Sequence, residues 1–320
     1  MLSIKNFAPL LDVPRNKPAS TRSLLMTRPL RCLLIALLPC SAAALAEEAK
    51  TAVAEPLAPE VQTVDVTYLG NEGFLIAAGD RKVLVDALFG DGIDGYPVVP
   101  PTPRRQLEAA AGDFAGVDLV LATHYHDDHF DAQAVARHLR ANPDARFVST
   151  RQAVERLRQL PDFDQLADRV EGYWPAEGER VSMEHGGIAV TILNLHHGRD
   201  RRPEVQNLGF LIDLGGLQLL HVGDTEVDEA DVRPYRLAEE AVDVFFVPSW
   251  FFGSLRWRPV LAEVDAGARV VMHLAEPTAP ASWFGPAGSR EKRLAGIREV
   301  DPEAVVFRAM ETRSFSSRSD

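Results

Sequence analysis

Cysteine is nearly missing from this chain: its 320 residues hold only Cys32 and Cys40. Both lie within the first 46 residues, so the remainder forms no disulfide and offers no thiolate to a metal. Long apolar runs are missing as well. The stretch Cys32–Leu38 is far short of the roughly 18 apolar residues needed to cross a bilayer. Basic residues are scarce, 34 Lys/Arg against 46 Asp/Glu. Residues 1–46 contain six of those bases and one of those acids, leaving 28 basic and 45 acidic residues, a net of −17. A surface that acidic repels polyanions, so nucleic acid is not expected as a partner. No G-x-S-x-G appears, which removes the usual serine-hydrolase arrangement. No P-loop appears either, and no nucleotide cofactor is expected.

What is present begins with an address. Arg28 and Arg31 precede the apolar Cys32–Leu38 run, and small residues follow, ending Ala44-Leu45-Ala46. This is the pattern of a secretory signal peptide cleaved near Ala46, placing the mature protein in the periplasm or outside the cell. Met26 stands where such a signal starts. Residues 1–25 read either as an upstream misassigned start or as a long basic leader. Lipid attachment at Cys40 fits less well, because Pro39 stands where a small residue is expected. Residues 47–62, rich in Ala, Glu and Pro, read as a flexible tether.

From residue 63 to 312 the pattern predicts one α/β domain, and residues 313–320 read as a loose tail. "VDVTYLG", "GFLIAAG" and "KVLVDALF" are β-rich runs separated by Gly and Asp turns. The Gly/Pro-rich stretch "DGIDGYPVVPPTPRR" reads as a loop. "VDLVLATH" is a buried strand ending in polar residues, followed by a helix with Ala132, Val135, Ala136 and Leu139 on one face. Strand and helix then alternate to "AVVFRAM", and two such halves without a long linker suggest a single four-layer domain.

Polar residues repeatedly close these strands: Asp86 in "VLVD", Asp224 in "LLHVGD", His273 in "VVMH" and the run "LATHYHDDHF". That run packs three histidines and two aspartates into six positions. In extended backbone His124 and His126 point the same way, while Asp128 and His129 fall where strand turns to helix and form an adjacent set. Imidazoles and carboxylates suit zinc and similar divalent ions. Ordinary roles exist for each outlying residue. Asp224 also fits a helix N-cap, Asp86 a turn, and His273 a satisfied core histidine. His221, His138 and His185 read as structural, and Asp127 as a helix-start acid.

In these motifs the chain resembles the metallo-β-lactamase superfamily, whose HxHxDH signature reads here His124-Tyr125-His126-Asp127-Asp128-His129. Asp86, "LNLHHG", "HVGD" and "VVMH" follow in the family's order. The resemblance implies an αββα sandwich with two divalent metal ions, zinc first, with manganese or iron as alternatives. It implies His124, His126 and either His197 or His196 on one ion, His197 preferred because it precedes Gly198. Asp128, His129 and His273 would hold the other, with Asp224 bridging and Asp86 supporting the ligand loop. The implied chemistry is hydrolysis of an ester, lactone, amide or phosphodiester by a metal-bridging hydroxide, with Asp128 and Asp224 as the catalytic acids. The alternatives are a mononuclear-iron redox relative of the persulfide-dioxygenase kind, a β-lactamase proper, or a non-catalytic periplasmic metal-binding protein. Trp250, Phe251, Phe252, Trp283 and Phe284 are candidates for a wall against a small apolar substrate, or else for ordinary core. No subunit partner is legible in the pattern.

Overall fold

The computed structural model describes residues 62–318, so the leader, its cysteines and nearly all of the tether lie outside the described residues. Alternating burial marks the first strand, β1 (Thr63–Gly70), where Val64 and Val66 point into the core. It continues through a tight turn into β2 (Gly73–Ala78) and β3 (Arg81–Val85) as an antiparallel meander. Next come α1 (Pro101–Glu108), β4 (Leu119–Leu121), α2 (Ala132–Ala141), β5 (Arg146–Thr150), α3 (Arg151–Arg158) and β6 (Val170–Tyr173). From β3 to β6 neighbouring strands are parallel, as the intervening helices require. Asp131 and Thr150 cap α2 and α3 by accepting from Ala134 N and Ala153 N.

The second sheet is built from β7 (Arg180–His185), β8 (Ile188–Asn194), β9 (Leu208–Leu214) and β10 (Leu217–His221). The short α4 (Glu229–Val232) leads to β11 (Val244–Pro248), α5 (Trp250–Gly253), α6 (Val260–Glu263) and β12 (Ala268–Met272). The long α7 (Arg290–Val300) and β13 (Thr312–Ser316) close the chain. Strand order is β13-β1-β2-β3-β4-β5-β6 in one sheet and β12-β11-β10-β9-β8-β7 in the other. One apolar core, including Val66, Phe74, Phe210 and Phe246, fills the space between the sheets; a second, including Leu84, Phe147 and Leu157, lies under α1 to α3. This is the expected four-layer αββα sandwich.

Several local expectations need correction. Residues 313–316 are not a loose tail: β13 pairs with β1 over five antiparallel positions, from Thr63 opposite Ser316 to Thr67 opposite Thr312. Backbone pairing holds this strand, which explains why its mostly exposed side chains carry no apolar pattern. The Gly/Pro-rich loop ends in α1, with prolines in its first turn, where a missing N–H is harmless. "AVVFRAM" contributes a single bridge, Val305 to Val270, rather than a strand. Gly90 to Gly95 spells G-x-G-x-x-G, but it lies in the loop between β3 and α1 and opens no helix, so it is not a dinucleotide fingerprint.

Candidate metal centre

The ends of β3, β4, β8, β10 and β12 and the β1–β2 turn meet at one edge of the sandwich. There one donor atom from each of His124, His126, His197 and Asp224 lies within 4.8 Å of the others, and so does one from each of Asp128, His129 and His273. Asp224 joins the two groups. Its Oδ2 is 3.6 Å from His197 Nε2, and its Oδ1 is 3.5 Å from His129 Nε2 and 3.1 Å from His273 Nε2. Asp128 Oδ2 lies 3.7 Å from His129 Nε2 and 3.5 Å from His273 Nε2.

Asp86 sits beneath this cluster, fully buried. It accepts from Thr123 N at 2.7 Å, from Thr123 Oγ1 at 2.6 Å and from His129 Nδ1 at 2.8 Å. That bond keeps a proton of His129 on Nδ1, so Nε2, which faces the carboxylates, is the nitrogen that a metal ion would take. Thr123 acts similarly on His124. Its hydroxyl hydrogen goes to Asp86, so its oxygen accepts from His124 Nδ1 at 3.1 Å, and His124 Nε2 presents a lone pair. His124 Nε2 and His126 Nδ1 are 2.9 Å apart.

Backbone conformation shapes the same edge. Of the seven described residues other than glycine with positive φ, three belong here: Asn71 (43°), Asp86 (45°) and His273 (50°). Left-handed backbone at non-glycine positions is unfavourable and persists where the surroundings over-determine it. Gly223 (φ 61°) lets β10 end against the histidine loop; a Cβ there would fall 2.4 Å from Asn207 Oδ1 and 2.6 Å from Thr123 Cβ. Asn207 donates to the carbonyls of Leu195 and Val222 at 2.6 and 3.0 Å, which ties the loop of His197 to the loop of Asp224.

The charges within the cluster divide it. Burial and nearby His129 hold His124 well below the usual imidazole range, and burial with His197 pushes His126 down to about 4. Burial also opposes charge on His129 and His273, but Asp128, Asp224 and Asp86 around the first and Asp224 beside the second outweigh it and hold both well above that range. Asp224 stays well below the usual carboxylate range because His273 and His129 outweigh its burial.

The two candidate histidines of "LNLHHG" separate cleanly. His197 joins the cluster, whereas His196 turns away, its Nε2 3.2 Å from Asp231 Oδ2. Asp224 is not a helix N-cap; that role falls to Asp228 at the start of α4. Asp127 is exposed near Arg156, and the cap of α2 is Asp131. His221 donates from Nε2 to Glu72 O at 3.0 Å, and His138 from Nδ1 to Leu107 O at 2.6 Å, both structural roles. His185 Nε2 reaches Asp144 O at 3.2 Å, away from the cluster.

Four contributors were not anticipated from the sequence. Asn71 Nδ2 donates to Asp128 Oδ2 at 3.0 Å, while Asn71 O accepts from His273 N at 3.3 Å. Glu72 is fully buried behind the site, with neither carboxylate oxygen hydrogen-bonded among the described residues, and burial pushes its pKa well up. Tyr96 packs edge-on to His273, ring centroids 4.3 Å apart. Trp257 joins Trp250 and Trp283 in a cleft of about 650 Å³ that opens onto His197, Asp224 and His273. The proposed wall needs correction here. Phe251, Phe252 and Phe284 are buried and do not line this cleft; the short α5 turns Trp250 and Gly253 to it and Phe251 and Phe252 into the core.

A family model described as a beta-lactamase superfamily domain matches residues 81–279. Among curated proteins, a UPF0173 metal-dependent hydrolase of Pyrococcus furiosus is 27% identical over 187 residues, covering 58% of this chain and 72% of the relative. One from Rubrobacter xylanophilus is 28% identical over 247 residues, covering 74% of this chain and 79% of the relative. Among solved structures, a possible metal-dependent hydrolase from Veillonella parvula aligns with a TM-score of 0.56 at 17% identity, over 78% of this chain and 99% of that one. An isothiocyanate hydrolase from Delia radicum gut bacteria aligns with a TM-score of 0.52 at 16% identity, over 79% of this chain and 99% of that one. With the fold, the ordered motifs and the family match in agreement, the chain belongs to the metallo-β-lactamase superfamily.

Proposed function

We propose that the protein is a metal-dependent hydrolase with a dinuclear, zinc-type centre. His124, His126 and His197 would hold one ion, Asp128, His129 and His273 the other, and Asp224 both. The observation that carries this reading is Asp224 itself, whose Oδ2 faces one histidine group and whose Oδ1 faces the other. The donor atoms fit such ions. The Nε2 atoms of His129, His197 and His273 and Asp224 Oδ1 are buried without a hydrogen-bond partner among the described residues. Groups of that kind are costly unless something pairs with them. An all-nitrogen-and-oxygen set rich in imidazole favours zinc. The hydrolase names of the relatives point the same way.

Held by these residues, two such ions would supply a hydroxide nucleophile at neutral pH and a positive charge for the substrate oxygen that gains charge. The chain's own residues prepare and follow that event. Asp86 and Thr123 fix the tautomers of His129 and His124. Asn71 holds Asp128 by Oδ2, leaving Oδ1 to take the proton released on attack and return it to the leaving group. The aromatic cleft excludes water from the substrate body. The substrate is a small molecule with an ester, lactone, amide or phosphodiester bond, and the pattern of residues 26–46 supports an exported protein.

A panel of aryl esters, lactones, β-lactams and phosphodiesters, offered to chelator-treated and zinc-reloaded protein, tests this. Turnover that disappears with chelation and returns with zinc is expected. Iron as the sole bound metal, or no turnover of any class by the reloaded protein, would overturn it.

A further inference from the structure

We infer that the cleft takes a substrate whose apolar or aromatic body carries a second, anionic group, a carboxylate or phosphate, anchored by Arg293. This rests on the hydrolase reading above and specifies its substrate class. Acidic residues outnumber basic ones along the chain, yet the cleft beside His197, Asp224 and His273 is lined by Arg201, Arg202 and Arg293. Arg201 has a partner in Glu226 at 3.5 Å. Arg293 differs. It is half-buried on α7, its Nη2 donates to Phe284 O at 2.6 Å, and its guanidinium meets no carboxylate among the described residues.

A cation withdrawn from water without a counter-ion is unfavourable, and two glycines stand beside this one. A Cβ at Gly253 would fall 2.7 Å from Arg293 Nη1, and one at Gly285 would fall 3.3 Å from Nη2. Gly253 thus leaves room for the guanidinium, whose planar fork suits a bidentate oxyanion, while Gly285 is also required by its φ of 55°. Aromatic rings connect this point to the metal-ligand cluster. Tyr96 lies 4.9 Å from Trp283 and 4.3 Å from His273, and Trp250 lies 5.1 Å from His273, centroid to centroid. A flat body against these rings spans from Arg293 to Asp224 within the one cleft.

Calorimetric titration of the metal-loaded protein with 2-naphthoate, 2-naphthylphosphonate and the neutral ketone 2-acetonaphthone tests the inference. At least one anion should bind about tenfold more tightly than the ketone, and which one does so separates carboxylate from phosphate. That preference should fall to within about threefold in Arg293→Gln and persist in Arg293→Lys, which keeps the charge. Gly253→Ala, at an exposed helical position, should weaken it by crowding the guanidinium without disturbing the core. Equal binding of anions and ketone by the natural protein would overturn the inference. So would a preference that survives Arg293→Gln, because the anion would then be held by the metals. Anion preference without any hydrolysis would leave Arg293 in place and remove the hydrolase reading; hydrolysis without anion preference would do the reverse.

Discussion

Asp86→Asn is the sharpest perturbation of the proposed centre, because it keeps the shape of the side chain and changes the polarity of the two hydrogen bonds that share Oδ2. Asp86 accepts three hydrogen bonds, two from Thr123 and one from His129 Nδ1. The asparagine carbonyl can still accept from Thr123 N, but its amide group then faces both Thr123 Oγ1 and His129 Nδ1 and donates to them. A neutral His129, the form a metal ion would bind, must then carry its one proton on Nε2, the atom turned toward Asp128 and Asp224. A nitrogen bearing that proton cannot ligate. Losing a partner of this kind lowers metal affinity about 10- to 100-fold. One lost bond to a charged group also removes about 1.5–3 kcal/mol of stability, which in a domain of this size lowers Tm by roughly 3–12 °C. Competition for zinc against a chromophoric chelator measures the first effect and thermal unfolding of the chelated protein the second. Zinc affinity within about threefold of the natural protein would refute the tautomer argument.

Other outcomes are equally specific. His197→Ala should lose zinc and hydrolysis, whereas His196→Ala should keep both, since His196 faces only Asp231; the reverse pattern would exchange the two residues. Asp224→Ala and His126→Ala should each abolish metal-dependent turnover in protein that remains folded by circular dichroism, and full activity in either would remove that residue from the centre. Chelated protein should be most stable near pH 6.5, the usual imidazole value. Above it, native His129 and His273 keep protons that the unfolded chain releases, so stability falls with rising pH. Below it, unfolded imidazoles take protons that His124 and His126 refuse, so stability falls toward about 4, where His126 titrates. Zinc should flatten the alkaline side in a melting series from pH 5 to 8; a flat alkaline side without zinc would contradict the pairing. Truncation after Glu311 removes β13 and exposes the edge of β1, so Tm should drop; an unchanged Tm would mean that the pairing adds nothing.

The histidine and aspartate cluster was legible because its members stand beside buried apolar strands, where polar side chains need a reason to be. His124, His126, Asp128 and His129 share one short run, and Asp86, Asp224 and His273 each close an apolar strand. Asn71 and Glu72 escaped notice because "GNEG" spells an ordinary turn; only packing reveals that this turn reaches Asp128 and His273. Tyr96 was hidden in a Gly/Pro-rich loop whose path no periodicity describes. The choice between His196 and His197 depends on which way the chain leaves β8, and spacing does not encode that direction. The aromatic wall is not encoded by spacing either. "SWFFG" forms a single short helical turn that buries Phe251 and Phe252 and presents Trp250 to the cleft.

The dinuclear arrangement itself is tested most directly by anomalous diffraction at the zinc edge from crystals of the zinc-loaded protein. Two peaks are expected on either side of Asp224, about 3.5–4 Å apart. One should lie among His124, His126 and His197 and the other among Asp128, His129 and His273. A single peak, or peaks lying instead among Glu72, Asp86 and His221, would contradict the two-ion centre.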